Sequence, residues 1–233
     1  MNKAIVFDTG PLISLSVNSL LWILVPLKKR FGGDFLIPPE VKQELIDKPI
    51  KGKKYQFEAL RVNDMLNEGI LKLHSSQNLQ EKAQELMDIA NSCFTVNGTN
   101  FQIVQLAEME CIAAGIEVNA EALVIDERTT RMLIEDPWDI QKLLEHKLER
   151  KVLVNELKLK EFSQLVKNLK VIRSVELVVA AYRLGFLDRY VTANQKIDKR
   201  MKNILLDSVL WALKLYGCAV SAYEINDIVK LEK

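Results

Sequence analysis

The chain has 233 residues, 48% of them hydrophobic and 27% charged, so it is long and apolar enough to bury a sizeable core. The 32 basic and 31 acidic residues leave a formal net charge of +1, which does not indicate a strongly basic nucleic-acid binder, although a local basic patch is compatible with it. The three cysteines show no metal-type spacing and argue against a disulfide framework, which favours a reducing, cytoplasmic location. With only two histidines, a His-rich zinc site is not expected.

The N-terminal part of the chain is predicted to alternate short buried strands with helices. The apolar run 4–7 is typical of a strand buried on both faces, and it ends abruptly at Asp8. The uncharged run that follows contains two prolines and several polar residues, so we expect a helix over 12–27 and not a membrane span. A second strand is predicted over 35–37, and two prolines then open a helix that runs to about Ile46.

The same alternation continues through the middle of the chain. Residues 47–55 are predicted to form a lysine-rich loop, and residues 97–100 a second, polar loop. Further strands are predicted over 70–74 and 122–125. The predicted helices are 57–67, 79–90, 103–114 (ended by Gly115) and 128–135.

This pattern predicts a three-layer α/β sandwich with a mostly parallel central sheet covered by helices on both faces. We expect residues 1–136 to form the core and residues 137–168 a mainly helical insertion. Residues 169–233 are expected to complete the core with a last strand over 169–172 and C-terminal helices. The final helix is predicted to begin after Ser221, which with Glu224 forms a capping box.

Four acids are placed to meet at one edge of this sheet. Asp8 and Asp126 follow strand-like runs, while Glu44 and Glu110 lie on predicted helices. Ligands of open α/β sheets bind beyond the carboxyl ends of the strands, and carboxylates gathered there repel one another unless cations offset their charge. Oxygen ligands without His or Cys favour Mg²⁺ or Mn²⁺, which in pairs support phosphodiester hydrolysis. Each acid alone is more typical of a helix cap, a turn or a solvated helix residue than of a metal ligand, so the inference depends on the set and its order along the chain.

Four segments that contain these acids resemble the motifs of PIN-domain proteins. Residues 5–13, Ile-Val-Phe-Asp-Thr-Gly-Pro-Leu-Ile, resemble the family's opening, and residues 37–45 resemble its Pro-x-x-Val-x-x-Glu-Leu motif. Residues 108–114 and 123–128 are similar to the third and fourth motifs. The likeness is greatest to a prokaryotic subgroup related to the VapC toxins, which opens with Asp-Thr-Gly-Pro-Leu-Ile.

The resemblance implies a metal-dependent ribonuclease on a parallel α/β sheet. Asp8, Glu44, Glu110 and Asp126 would hold Mg²⁺ or Mn²⁺ and position the attacking water, with Thr9 adding a hydroxyl to the network. Many prokaryotic members are toxins held by a small antitoxin protein, which would be a second partner besides RNA. A PIN-like module that binds RNA or protein without cutting stays open as an alternative.

The third motif departs from the wider family, which commonly has Asp where this chain has Glu. Glu108 and Glu110 are two residues apart, which is a turn of roughly 200° on a helix, so both are not expected to face one ion. Glu110 is the preferred third acid because it lies beside the apolar stripe, and Glu108 is its alternate.

Basic and amphipathic segments are candidates for contacts with RNA and with a second subunit. Arg128 and Arg131 would steady the scissile phosphate, although surface ion pairing explains them equally well. Lys51, Lys53 and Lys54 would follow an RNA backbone, or belong to an ordinary solvated loop. The amphipathic segment 142–169 is expected to pack against a second copy of the chain, as a homodimer, or to cover the cleft.

Overall fold

The computed structural model describes residues 3–193, 196–197 and 199–232, and the elements below lie within those ranges. The strands are β1 (Ala4–Phe7), β2 (Asp34–Ile37), β3 (Lys72–Leu73), β4 (Phe94–Val96), β5 (Thr99–Asn100), β6 (Ala122–Val124), β7 (Val152–Val154), β8 (Val171–Ile172), β9 (Thr192–Ala193) and β10 (Lys196–Ile197). The helices are α1 (Thr9–Val17), α2 (Leu24–Phe31), α3 (Pro39–Lys42), α4 (Lys48–Ile50), α5 (Gln56–Asn67), α6 (Leu79–Asn91), α7 (Leu106–Val118), α8 (Arg128–Glu135), α9 (Ile140–Leu148), α10 (Glu156–Val166), α11 (Ser174–Arg183), α12 (Lys199–Leu215) and α13 (Ala222–Leu231). Short 3₁₀ turns cover Leu21–Ile23, Pro137–Asp139 and Phe186–Tyr190, and a wide π turn covers Gln43–Asp47.

The central sheet has the order β3-β2-β1-β6-β8, and each neighbouring pair is parallel. Alternate residues of β1 pack into two different cores: Ile5 and Phe7 on one face, Ala4 and Val6 on the other. Burial on both faces explains why the strand is a continuous apolar run. The predicted α/β sandwich with a mostly parallel sheet is therefore confirmed.

The order of the strands reverses at β1. The chain builds β2 and β3 on one side of β1 and later adds β6 and β8 on the other. A crevice at such a switch point lies beyond the carboxyl ends of the two central strands, which here are β1 and β6.

The helix predicted over 12–27 is broken into two. α1 starts at Thr9 and ends at Val17, Ser19 adopts a left-handed backbone (φ 57°), and α2 starts at Leu24. No single helix in the described ranges is long and apolar enough to cross a bilayer; α1 and the segment Leu21–Phe31 reach that threshold only as a pair bent by 115°.

A second, smaller sheet lies outside the sequence prediction. Residues 94–100, expected to end in a polar loop, form a hairpin of β4 and β5, and β4 pairs on its other edge with β7. β7 belongs to the segment 137–168, which is otherwise helical. Phe94, Val152 and Phe162 share one buried cluster, so the segment packs into the same core as the central sheet.

α7 extends past the glycine that was expected to end it. It continues to Val118, and Asn119 supplies the left-handed residue that ends the helix. A Cβ atom at Gly115 would overlap Leu123 Cδ2 of β6. Gly115 is therefore required for the close approach of α7 to the sheet, and this interpretation replaces its predicted role as a C-cap.

Candidate active site

Asp8 lies where β1 ends and α1 begins. Its backbone N–H donates to Val124 O at 3.0 Å, which fixes it beside the end of β6. Its side chain is buried and caps α1 by accepting the Gly10 N–H at 3.5 Å. A Cβ atom at Gly10 would lie 3.5 Å from Asp126 Cβ and 3.8 Å from Asp8 Oδ2, so the two aspartates flank this glycine.

The electrostatic environment of Asp8 opposes its ionisation. Burial raises its pKa from 3.8 to about 6, and the negative charges of Glu44 and Asp126 add to that effect. The backbone N–H groups of Thr9 and Gly10 act in the opposite direction but do not cancel it. In the described ranges no Lys or Arg forms an ion pair with any of these three acids.

Glu44 reaches this cluster from the helix that follows β2. It lies in the wide turn Gln43–Asp47, a type of helical irregularity that is frequent at functional sites. Thr9 Oγ1 donates to Glu44 Oε2 at 2.9 Å, which connects Glu44 to the residue after Asp8. The structure thus brings Asp8, Thr9 and Glu44 together across 35 residues of sequence.

Asp126 is held by neutral donors. Its Oδ1 accepts the Ser174 N–H at 2.8 Å and the Cys218 thiol at 3.4 Å. Its Oδ2 accepts the hydroxyls of Ser14 at 3.1 Å and Ser174 at 2.7 Å. None of these three partners was predicted from the sequence; the signal that points to one of them is that Ser174 closely follows β8, at the same edge of the sheet as Asp8 and Asp126.

The two glutamates of α7 have different surroundings. Glu108, in the first turn, completes a capping box through the Gln105 N–H at 2.8 Å. Burial raises its pKa to about 7, and Asp8 is among the charges that contribute. Glu110 is buried and accepts the Glu40 N–H at 2.6 Å; burial raises its pKa, and the charge of Glu40 adds to that effect. The charge of Asp8 acts on Glu108, whereas Glu110 contacts the Glu40 backbone, and which of the two glutamates is the third acid stays a prediction.

The basic candidates lie in two places. Arg128 and Arg131 line a cavity of about 600 Å³ together with Lys214, and Ala219 in its wall donates its N–H to Asp126 O at 3.3 Å. Arg131 pairs with Glu135 at 3.6 Å, whereas its Nη1 atom is buried and has no partner among the described residues.

The lysine-rich segment is separate from that cavity. Lys51, Lys53 and Lys54 are exposed after α4, and Lys54 Nζ lies 4.9 Å from the centre of the Tyr55 ring. The described part of the chain shows no ion pair between these lysines and the acid cluster.

The side chains gathered here carry the type of oxygen ligand that a hard divalent cation prefers. Asp8, Glu44, Glu108 and Asp126 offer carboxylate oxygens and Thr9 offers a hydroxyl, the ligands that Mg²⁺ and Mn²⁺ prefer. Burial is the main cause of the raised pKa of Asp8, and the negative charges of Glu44 and Asp126, which would attract a cation, contribute less. Among the described residues, no group of three or more His, Cys, Asp or Glu side chains is arranged closely enough to hold a metal ion.

Comparison with known proteins identifies the family. No curated protein sequence matches significantly. A structural match is a crystal structure of VapBC2 from Rickettsia felis bound to a DNA fragment from its promoter, with a TM-score of 0.43, 13% identity, and coverage of 73% of this chain and 98% of the matched one. A family model described as PIN domain matches residues 4–136, more than half of the chain. These residues contain all four acidic motifs and most of the central sheet, and the chain belongs to the PIN-domain family.

Proposed function

We propose that this protein is a divalent-metal-dependent ribonuclease that hydrolyses phosphodiester bonds of RNA at the cluster of Asp8, Glu44, Glu108 and Asp126. The observation that supports it most is the electrostatic crowding of Asp8. Its buried carboxyl has a pKa raised to about 6 and receives the charges of Glu44 and Asp126, with no cationic side chain paired to the three acids within the described residues. Such an arrangement lowers the stability of the fold, and a bound cation would offset the repulsion.

Each residue of the cluster has a distinct part in this proposal. Asp8, Glu44 and Glu108 would hold Mg²⁺ or Mn²⁺, which when bound supplies an activated water and stabilises charge on the cleaved phosphate. Thr9 fixes the orientation of Glu44 through their 2.9 Å hydrogen bond. Asp126 is oriented by Ser14, Ser174 and Cys218, so its carboxylate is held in place beside Gly10.

The basic cavity beside Asp126 is the proposed contact for the RNA backbone. Arg128 is exposed, and Arg131 presents a buried Nη1 atom that lacks a partner among the described residues. Arginine matches the geometry of a phosphate group well. Lys51, Lys53 and Lys54 would extend the contact along the strand through charge alone.

A small antitoxin protein is the further partner implied by the resemblance to toxins of this family, and we include it in the proposal. The alternative remains a module that binds RNA or protein without cutting. The acids of all four motifs are present in the sequence, which favours the catalytic form over that alternative.

Cleavage of labelled single-stranded RNA tests the proposal. The purified protein is incubated with varied RNAs in Mn²⁺, with and without EDTA, beside the variants Glu44→Gln and Glu85→Gln. Glu85 is exposed on α6, so its substitution controls for the loss of one carboxylate. We expect EDTA and Glu44→Gln to abolish cleavage and Glu85→Gln to leave it unchanged. Stable binding of RNA or of a protein partner without cleavage would favour the alternative.

A further inference from the structure

The helix that carries Glu44 begins without any cap of its own. Pro38 occupies the N-cap position and has no polar side chain, and Pro39 in the first turn has no N–H. The first backbone donor of the helix is therefore the N–H of Glu40. A donor in this position needs an acceptor from outside the helix when it is shielded from water.

Glu110 supplies that acceptor from a distant part of the chain. Its Oε2 lies 2.6 Å from Glu40 N, across 70 residues of sequence, and its side chain is almost wholly buried. A carboxylate at a helix N-terminus also interacts favourably with the helix dipole, and hydrogen bonds to charged acceptors are short and strong. Glu110 thus anchors the start of α3 to α7.

The anchored helix leads directly to Glu44. Glu44 follows Glu40 by four residues, which is about one helical turn and roughly 6 Å along the axis. At Glu44 the helix widens into the π turn, and there the carboxylate meets Thr9 Oγ1. The segment is therefore fixed at its start by Glu110 and at its functional residue by Thr9.

We propose that Glu110 is a positioning residue that holds the helix bearing Glu44 in place, through the hydrogen bond that it accepts from the Glu40 N–H. This inference rests on the proposed function, because Glu44 needs positioning only if it serves the cation site. It gives Glu110 a contact with the backbone of α3, whereas Glu108 is the glutamate of α7 that the proposed function places among the cation ligands.

The test compares Glu110→Gln, Glu110→Ala and Glu108→Gln in the full chain, with Glu85→Gln as a control. Mn²⁺ affinity is measured by calorimetry, and hydrogen exchange is measured at the backbone amides of residues 40–47. Glu110→Gln keeps an oxygen that accepts the Glu40 N–H, so Mn²⁺ affinity should stay within about threefold of the wild type. Glu110→Ala removes the acceptor, so we expect about tenfold weaker Mn²⁺ binding and faster exchange of the amides of residues 40–47.

Glu108→Gln should weaken Mn²⁺ binding at least as much as Glu110→Ala, but without faster exchange over 40–47. If Glu110→Gln weakens Mn²⁺ binding as much as Glu108→Gln, the charge of Glu110 is required and it is a ligand, which overturns the inference. Unchanged exchange in Glu110→Ala overturns it as well. If the wild type binds no Mn²⁺, the proposed function fails, and exchange alone then decides whether Glu110 anchors the helix.

Discussion

Asp8 and Asp126 end neighbouring strands, yet their side chains have opposite surroundings. Asp126 accepts four hydrogen bonds, two of them from Ser174, so its negative charge is well satisfied inside the protein. Asp8 accepts a long hydrogen bond from the Gly10 N–H through its side chain, and burial, with smaller contributions from nearby carboxylates, raises its pKa. The charge of Asp126 is therefore stabilised by its surroundings, whereas ionisation of Asp8 is opposed.

Neutral substitutions at these two positions should change stability in opposite directions. We expect Asp8→Asn to raise the free energy of unfolding at pH 7, by at most about 3 kcal/mol, because it removes a buried charge and keeps a cap for α1. Asp126→Asn should lower it by about 1–3 kcal/mol, because donors lose their acceptor. Urea unfolding measures both. An Asp8→Asn protein that is less stable than the wild type would show that Asp8 has a structural role.

The raised pKa of Asp8 also predicts how stability depends on pH. Between pH values of about 4 and 6 the folded protein binds a proton at Asp8 that the unfolded chain has released. The stability contributed by this proton is fully present below about pH 4 and is lost as the pH rises through about 6. The stability advantage of Asp8→Asn over the wild type should therefore grow from near zero at about pH 4 to its maximum near pH 7. An advantage that is constant across this range would contradict the assignment.

Among the elements, those with strong local signals could be predicted from the sequence. The strands before Asp8 and Asp126 are buried on both faces. A strand of this kind is a continuous apolar run, so its composition alone indicates it. The hairpin of β4 and β5 was missed because its strands are only two or three residues long. Its partner β7 lies some fifty residues later in the chain, and no local pattern records a pairing of that kind.

The site could be predicted to the level of motifs but not of individual contacts. A helical period places Glu108 and Glu110 on different faces of α7, but the rotation of α7 against the sheet depends on tertiary packing. Gly115 shows this dependence, because its close approach to Leu123 sets how α7 lies on β6. Ser14 and Ser174 could not be connected to Asp126 until the strand order was known.

Gly33 makes a similar close approach before β2, and it offers a test at the level of the element. A Cβ atom there would overlap Lys3 O and lie 2.9 Å from Lys3 C, both of them backbone atoms that cannot easily move. We expect Gly33→Ala to lower the free energy of unfolding by about 1–3 kcal/mol.

The control is Gly52→Ala, where the nearest atom to the added methyl is Pro49 O at 3.6 Å. It should leave stability unchanged or raise it by less than about 1 kcal/mol. Equal denaturation midpoints for the two variants would show that β1 and β2 are not packed as described.

At the scale of the whole molecule, the segment 137–168 is both packed and exposed. Leu144 and Phe162 are buried in the same cluster as Phe94. Leu153 and Leu157 are exposed on β7 and α10, with 56% and 81% of their surface accessible. The buried side chains explain how the segment is held, and we propose the exposed leucines as the contact of the predicted homodimer.

The predicted homodimer can be tested at these leucines without deleting the segment. Sedimentation should give twice the 26.6 kDa chain mass for the wild type. The double variant Leu153→Lys, Leu157→Lys should sediment as one chain, because charge on this face opposes its burial. If both proteins sediment with the same mass, the segment does not form the dimer interface.

A crystal soaked in Mn²⁺ and measured for anomalous scattering tests the central claim most directly, because it locates the cation without relying on a substrate. If Mn²⁺ binds at this site, we expect an anomalous peak about 2.1 Å from carboxylate oxygens of Asp8 and of Glu44 or Glu108. Clear density for all of these side chains with no peak between them, in crystals soaked at increasing Mn²⁺ concentrations, would contradict this claim.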